Sequence, residues 1–97
     1  MTRHELMAAL RGGGATGATL EDVDLAGIEL AGAVLIRVTL RRVSLRAAVL
    51  TRATLRECVL EEVVLDEADL SESLLESLVT RGLSARGAKL AAITARG

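Results

Sequence analysis

The side chains that could carry out catalysis or bind a metal are few in this chain. His4 is its single histidine and Cys58 its single cysteine. A zinc site needs several nitrogen or sulfur ligands close together, and neither residue has a second histidine or cysteine nearby. Cys58 falls at an apolar position of the sequence pattern, where a buried, unreactive thiol is expected. We therefore predict that the chain is not an enzyme and that it needs no metal and no other cofactor.

Two groups of charged residues could form a binding site. Six carboxylates lie between residues 57 and 69, and six arginines lie between residues 37 and 56. A cation would prefer the first group, and a nucleic acid the second. All of the carboxylates except Glu67 have a basic partner twenty residues away. The arginines are flanked by acidic bands, and no aromatic residue is present for base stacking. We expect a paired, solvated surface here, and no nucleic-acid binding.

The composition describes one small domain without strong bulk charge. The 97 residues carry a formal net charge of −1 and include no Phe, Tyr, Trp or Pro. Aliphatic side chains must therefore fill the whole core. No segment approaches the roughly 18 consecutive apolar residues of a membrane span, and the start lacks the apolar stretch of a signal peptide. We predict a soluble cytoplasmic protein with no membrane partner.

Leucine recurs at every fifth position, and this period is the strongest signal in the chain. Twelve consecutive repeats, from Leu20 to Leu75, keep it without a miss. On an α-helix a step of five residues turns about 140°, which would spread the leucines around the whole surface. In a flat strand the step would send them to alternate faces. The period therefore predicts a chain that turns a corner every five residues and points each central leucine inward.

The positions around each central leucine support this interpretation. Two residues earlier the chain carries small or branched residues, such as Ala48, Ala53 and Val63, which should also point inward. The two residues after each leucine are mostly charged or glycine, as corners exposed to water require. The segments Ala68-Asp69-Leu70-Ser71-Glu72 and Ala88-Lys89-Leu90 resemble the A(D/N)LXX unit of the pentapeptide repeat family. The resemblance covers residues 15–97 and implies an all-β solenoid, a right-handed quadrilateral β-helix with four pentapeptides to each coil.

The charges give an independent test of twenty residues per coil. Residues one coil apart stack at about 4.8 Å, so opposite charges should face each other across the true period. At a separation of twenty there are twelve opposite-charge pairs and no like-charge pair, whereas a separation of fifteen gives five of each. Four sides per coil are therefore predicted. The columns include Glu21–Arg41–Glu61–Arg81, Asp22–Arg42–Glu62, Arg46–Asp66–Arg86 and Arg56–Glu76–Arg96.

The first fourteen residues have the features of a cap and a linker. Thr2 and Glu5 have the spacing of a capping box, and Gly12 suits the position after a helix end. We predict a short capping α-helix over residues 2–11. The Gly12–Gly14 run lacks the Lys-Ser/Thr of a phosphate-binding loop and is interpreted as a linker. The predicted domains are residues 1–14, cap and linker, and residues 15–97, a β-helix of about four coils.

At the other end the period continues but the residue sizes change. The central positions become Thr80, Ala85, Leu90 and Ala95, and counted from Ala18 the fourth coil closes at Gly97. No cap is evident there, so we expect either a fragment or an edge that another molecule covers. The predicted self-association edge consists of Leu78, Leu83, Leu90 and Ile93.

These features favour a non-enzymatic scaffold for protein interaction, most simply a homodimer joined through the C-terminal coil. An unidentified protein partner is an alternative. The resemblance also implies a second class of function, because some pentapeptide repeat proteins mimic DNA and bind bacterial type II topoisomerases such as gyrase. The chain is short, has no projecting loop and carries alternating charge bands, which disfavours that function. A designed or regularised repeat scaffold is a third possibility.

Overall fold

The computed structural model describes residues 4, 5, 8, 14–92 and 94–96. Within them the chain forms short strands, none longer than three residues, that are joined by tight turns. The strands are β1 (Ala15–Thr16), β2 (Thr19–Glu21), β3 (Val34–Ile36), β4 (Thr39–Arg41), β5 (Thr54–Arg56), β6 (Val59–Glu61), β7 (Leu74–Glu76), β8 (Val79–Arg81) and β9 (Thr94–Arg96).

The strands stack into a parallel solenoid with four sides. One side is a sheet in the order β1-β3-β5-β7-β9, and the next is a sheet in the order β2-β4-β6-β8. Paired residues are twenty positions apart; Leu35 pairs with Leu55, for example. The other two sides are columns of single parallel bridges, one through Ser44 and one through Val49. The all-β solenoid, its four sides and its period of twenty are therefore confirmed.

The corners explain how a chain without proline turns every five residues. The second residue after the central position has positive φ at nearly every corner, whether it is glycine, as at Gly27 (φ 72°), or a charged residue, as at Arg42 (φ 51°). Half of the corners also close with a turn hydrogen bond; the Ile28 amide donates to the Leu25 carbonyl at 3.1 Å. Positive φ in the third residue of such a turn is typical of type II geometry. Positive φ is unfavourable for residues that carry a Cβ. The hydrogen-bonded ladders above and below hold each such corner in this conformation.

The core is a continuous aliphatic column. Each central leucine from Leu20 to Leu70 is at most 6 % exposed. The positions two residues earlier are equally buried in the middle of the solenoid, where Ala48, Ala53 and Val63 have no exposed surface. Ser73 takes the same inward position, and its Oγ donates to the Leu70 carbonyl at 2.6 Å. The predicted inward positions are thus confirmed over this part of the chain.

Two features of the predicted architecture remain predictions. The capping helix assigned to residues 2–11 lies largely outside the described residues, as does the Gly12–Gly14 linker apart from Gly14. Residues 18–77 make about three complete turns, and the coil assigned to residues 78–97 is described except for residues 93 and 97. Within the described parts of the chain, no helix is long and apolar enough to cross a membrane.

Candidate functional site

The described part of the C-terminal coil carries large apolar side chains that water reaches. Leu83 is 39 % exposed and Leu90 is 50 % exposed, whereas Leu78 is partly buried and packs against the core. Ile93, the fourth residue of the predicted edge, lies outside the described residues. The structure thus brings two of the four predicted residues to the surface at this end.

Val79 is a surface residue that the sequence pattern does not single out. It lies on β8 and is 55 % exposed, the largest value among the exposed large apolar residues. Its position, directly before the centre of the repeat, points outward on all four sides. The signal that could have found it is the presence of valine at an outward position, next to the centre that Thr80 occupies.

The charge of this end is entirely basic. Beyond Glu76 the sequence holds four basic residues and no Asp or Glu. Arg81, Arg86 and Lys89 are exposed, and among the described residues none of them forms an ion pair of 4 Å or less. An exposed apolar edge with a cationic border is therefore the most distinctive surface of the described chain.

Charged ladders run along the sides of the earlier coils. Arg41 lies between Glu21 and Glu61, at 3.8 Å and 3.2 Å. Arg42 holds Asp22 through two hydrogen bonds, from Nε at 2.6 Å and from Nη2 at 3.2 Å. Five of the pairs predicted at a separation of twenty form ion pairs among the described residues: Glu21–Arg41, Arg41–Glu61, Asp22–Arg42, Arg37–Glu57 and Arg56–Glu76.

One predicted column is arranged differently from the prediction. Arg46 reaches sideways to Glu67 at 3.5 Å rather than to Asp66 directly above it. Asp66 instead accepts hydrogen bonds from Ser84 Oγ at 2.7 Å and from the Arg86 amide at 3.0 Å. Because the Asp66 side chain is short, its carboxylate bonds to the backbone of the next corner. The longer Arg46 side chain extends instead to the longer side chain of Glu67.

The ladder through Arg41 gives a direct test of the coil period. Arg41→Glu would place a carboxylate between Glu21 and Glu61, so we expect a loss of about 1 kcal/mol in the free energy of unfolding. Salt should reduce the loss, because the charges are exposed. Urea unfolding at low and high salt measures both effects. Glu29→Arg is the control, since Glu29 is exposed and stacks on uncharged Val49. An equal loss in the control would contradict the assigned pairing.

Three aspartates have depressed pKa values because the folded chain supplies them with donors. The hydrogen bond from Arg42 lowers the pKa of Asp22. The Ser84 hydroxyl, and then the Arg86 amide, lower the pKa of Asp66. Hydrogen bonds from Ser71 do the same for Asp69, whose carboxylate accepts from the Ser71 amide at 3.0 Å. All three are bound into turns or ladders of the fold, so their ionised state favours the folded chain.

Acid should weaken the fold through these aspartates. A carboxyl whose folded pKa is depressed stabilises the protein above its unfolded pKa, about 3.9, and loses that effect as the pH falls through the folded value. We expect the urea concentration at the unfolding midpoint to decrease as the pH is lowered below about 4. Asp66→Asn should make the fall shallower, and so should Ser84→Ala, which removes the first donor to Asp66. Midpoints that decrease equally steeply in both variants and in the unmodified chain would contradict this assignment.

The residues that could have carried catalysis are not assembled into a site. Cys58 is 1 % exposed, its Sγ donates to the Leu35 carbonyl at 3.3 Å, and burial raises the pKa of its thiol. His4 is exposed. No group of three or more His, Cys, Asp or Glu side chains within the described ranges is arranged to hold a metal ion. The exposed apolar edge at the C-terminal end is therefore the better candidate for a functional site.

Comparison with protein families gives a clear match. The family model described as pentapeptide repeats, in eight copies, matches residues 16–52 and 44–76. These residues contain the unbroken leucine period and the solenoid described above. Among curated proteins, none matches the chain significantly.

Solved structures show the same architecture. A pentapeptide repeat protein, Rfr23, from the cyanobacterium Cyanothece 51142 superimposes with a TM-score of 0.71 at 28% identity, over 84% of this chain and 59% of its own. HetL from the cyanobacterium Nostoc sp. strain PCC 7120, a pentapeptide repeat protein involved in regulating heterocyst differentiation, gives 0.62 at 25% identity, over 78% and 38%. The similarity to the fluoroquinolone resistance protein QnrB1 is weaker, with a TM-score of 0.43 and 10% identity. The chain spans about three fifths of Rfr23 and two fifths of HetL.

Proposed function

Since the chain belongs to the pentapeptide repeat family, we propose that it is a non-enzymatic interaction scaffold that self-associates through its C-terminal coil. Proteins of this family are generally structural or interaction proteins rather than enzymes. The observation that carries the proposal is the exposure of Leu83 and Leu90 at the end of an otherwise buried aliphatic core. Exposed apolar residues that continue a core are typical of an interface.

The backbone of the C-terminal coil also favours self-association. Among the described residues, β8 and β9 are the last strands of their sheets, and each is paired on one side only. Unpaired strand edges are templates for pairing with another chain. Two copies related by a two-fold axis would cover both edges with the same surface, which gives a closed, isologous dimer.

The basic border opposes this association and makes it sensitive to salt. Two copies would bring Arg81, Arg86 and Lys89 of each chain towards their counterparts. Like charges across an interface cost free energy unless they lie at a solvated rim. Salt screens that repulsion, so self-association should become stronger as the ionic strength rises, the reverse of an interface held together by ion pairs.

The surface gives no support to a topoisomerase modulator that mimics DNA. Such a protein needs a continuous acidic face, whereas the described ladders alternate in sign, as in Glu21, Arg41 and Glu61. The C-terminal coil, which is free of acidic residues, has the wrong charge for that role.

Sedimentation at tens of micromolar protein tests the proposal. We expect a dimer whose population rises with salt, and a monomer for Leu90→Lys, which replaces exposed apolar surface at the edge with a further like charge. Val79→Lys is the matched control, because Val79 is equally exposed but lies on the side of the same coil. A monomer mass at all salt concentrations, with residues 78–92 protected from hydrogen exchange, would contradict the proposal.

A further inference from the structure

The β4 side of the solenoid, formed by β2, β4, β6 and β8, carries no charge along its middle. The outward residues directly before the central positions are Thr19, Thr39, Val59 and Val79. Threonine and valine have nearly the same shape, so this middle column is even, and Val79 is 55 % exposed. On the two sides that consist of single bridges, the same column includes Asp24 on one and Asp69 on the other. A partner can therefore cover the β4 side without burying a charge at its centre.

A charged column flanks the middle column on each side. The strand ends carry Glu21, Arg41, Glu61 and Arg81, and the preceding corners carry Gly17, Arg37, Glu57 and Ser77. Within the chain, Arg37 lies 3.9 Å from Glu57 and Arg41 lies 3.2 Å from Glu61. A guanidinium has five N–H donors, and the side chains of Arg37 and Arg41 stay 61 % and 46 % exposed. Both arginines therefore retain donors for a further carboxylate.

The alternation of charge makes the β4 side complementary to itself in one arrangement. Two copies can face each other across a two-fold axis that is parallel to the strands and passes between the levels of Thr39 and Val59. This axis reverses the order of the coils, so each residue meets the same column of the second copy at the mirrored level. Six opposite-charge pairs then face each other, two each of Arg41–Glu61, Arg37–Glu57 and Arg81–Glu21. In the middle, Thr39 of each copy meets Val59 of the other.

Other arrangements give a poorer match of charge. A two-fold axis parallel to the solenoid keeps the order of the coils, which sets Arg37 against Arg41 and Glu57 against Glu61 of the second copy. Like charges that face each other across an interface disfavour association. The neighbouring sheet, which contains β3, has the apolar Ile36 in the column where the β4 side has a charge, so it forms fewer pairs. The β4 side with reversed coils is therefore the best-matched surface.

We propose that the β4 side binds the β4 side of a second copy of the chain, with the order of the coils reversed. The principal extents of the molecule are 29 × 23 × 23 Å, so one side is smaller than the roughly 800 Å² that each partner contributes to a standard interface. We therefore expect a weak contact, with a dissociation constant on the order of hundreds of micromolar. The contact goes beyond the proposed C-terminal dimer and does not depend on it, because it uses a different surface.

Cross-linking tests the order of the coils. Thr39→Cys and Val59→Cys chains, one of them isotope-labelled, are mixed in equal amounts at several hundred micromolar and treated with a short bismaleimide. Facing sheets lie about 10 Å apart, so such a linker spans the two thiols. Mass spectrometry should find the mixed dimer at least about tenfold more abundant than either like dimer, whereas random collision gives about twofold. Cys58 is buried, so the unmodified chain should not be linked.

The adjacent side supplies the matched control for the cross-linking. Ser44 and Val64 are outward residues that pair one coil apart, as Thr39 and Val59 do. A mixture of Ser44→Cys and Val64→Cys chains should give only the random proportion of mixed dimer. A random proportion for Thr39→Cys with Val59→Cys as well would overturn the proposal. So would an excess of the Thr39→Cys like dimer, which would mean that the coils are aligned instead of reversed.

A charge exchange tests the pairing across the interface. Arg37→Glu should weaken self-association at least about tenfold, because two carboxylates then face each other in each copy of the pair. Arg37→Glu/Glu57→Arg should restore it, since the exchange keeps opposite charges both within the chain and between copies. The amide shifts of Thr39 and Val59 in an NMR dilution series measure the affinity. Arg52→Glu is the control, with the same change of charge at an exposed corner outside the β4 side.

Salt separates this contact from the C-terminal dimer. Salt screens ion pairs between exposed charges, so it should weaken the contact of the β4 sides, whereas it should strengthen the C-terminal dimer. The dilution series uses Leu90→Lys as the background, which removes the C-terminal edge. Dilution curves that Arg37→Glu leaves unchanged, that the exchange does not restore, or that salt strengthens would overturn the proposal. Sedimentation at tens of micromolar reports the C-terminal dimer alone, so either proposal can fail while the other stands.

Discussion

Leu50→Ala should lower the free energy of unfolding by about 2–5 kcal/mol, the usual cost of truncating a buried leucine. Leu50 is 1 % exposed, and the central leucines one coil before and after it, Leu30 and Leu70, are 4 % exposed. The backbone holds this column in register, since the Leu50 amide donates to the Asp69 carbonyl at 2.7 Å. Neighbouring side chains therefore cannot move in to fill the space that alanine leaves.

Position along the solenoid should matter as much as residue type. Each coil of a repeat protein contacts only its neighbours, so a central coil supports two interfaces and a terminal coil one. Leu90→Ala is the matched control, because Leu90 occupies the same place in the repeat but is 50 % exposed. We expect it to cost less than about 1 kcal/mol, since much of its surface is never buried. Urea melts that ranked Leu90→Ala equal to Leu50→Ala would show that the core has been assigned wrongly.

Gly14→Ala should cost about 2–3 kcal/mol, the upper part of the range for local backbone strain. Gly14 has φ of 139°, which side-chain-bearing residues rarely adopt. An added Cβ would also collide with the carbonyl oxygen of Val34 and lie 3.1 Å from the Val34 Cβ. Backbone cannot yield there without disturbing β3, the strand that begins at Val34.

Gly17→Ala separates the two contributions to this cost. Gly17 also has positive φ, 68°, but a Cβ at this position would meet no atom within 4 Å. Only the conformational cost of a left-handed residue applies, about 1 kcal/mol. Thermal or urea unfolding of both variants gives the difference, which measures the collision with Val34. Equal losses would mean that the close approach of the two chain segments is absent in solution.

The charged ladders show how far sequence reasoning extends at the surface. The period of twenty placed Arg41 between Glu21 and Glu61 correctly, because the stacking of coils is set by the backbone. It did not place Arg46, which contacts Glu67, nor Asp66, which binds Ser84 and the Arg86 amide. A long side chain at a solvated corner can pair with several neighbours at similar energy. A period in the sequence does not specify which of these pairs forms.

The candidate site was predicted in part. Leu83 and Leu90 could be located at an exposed edge because they belong to the last coil of the period. Val79 was missed, since the pattern distinguishes inward from outward positions and says little about an apolar residue that points outward. The leucine columns are predicted to form the core, and the burial of the central leucines from Leu20 to Leu70 confirms it.

The sequence alone determined the path of the backbone. A leucine at every fifth residue, small residues two positions earlier and complementary charges twenty positions apart are all periodic, and a solenoid converts such a period directly into stacked coils. Tertiary structure decided what happens across the axis and at the corners. The packing of the core depends on how side chains from four different sides meet, and the exposure of Leu90 depends on what lies above its coil. These are contacts between sides and between surfaces, which a pattern along one chain does not specify.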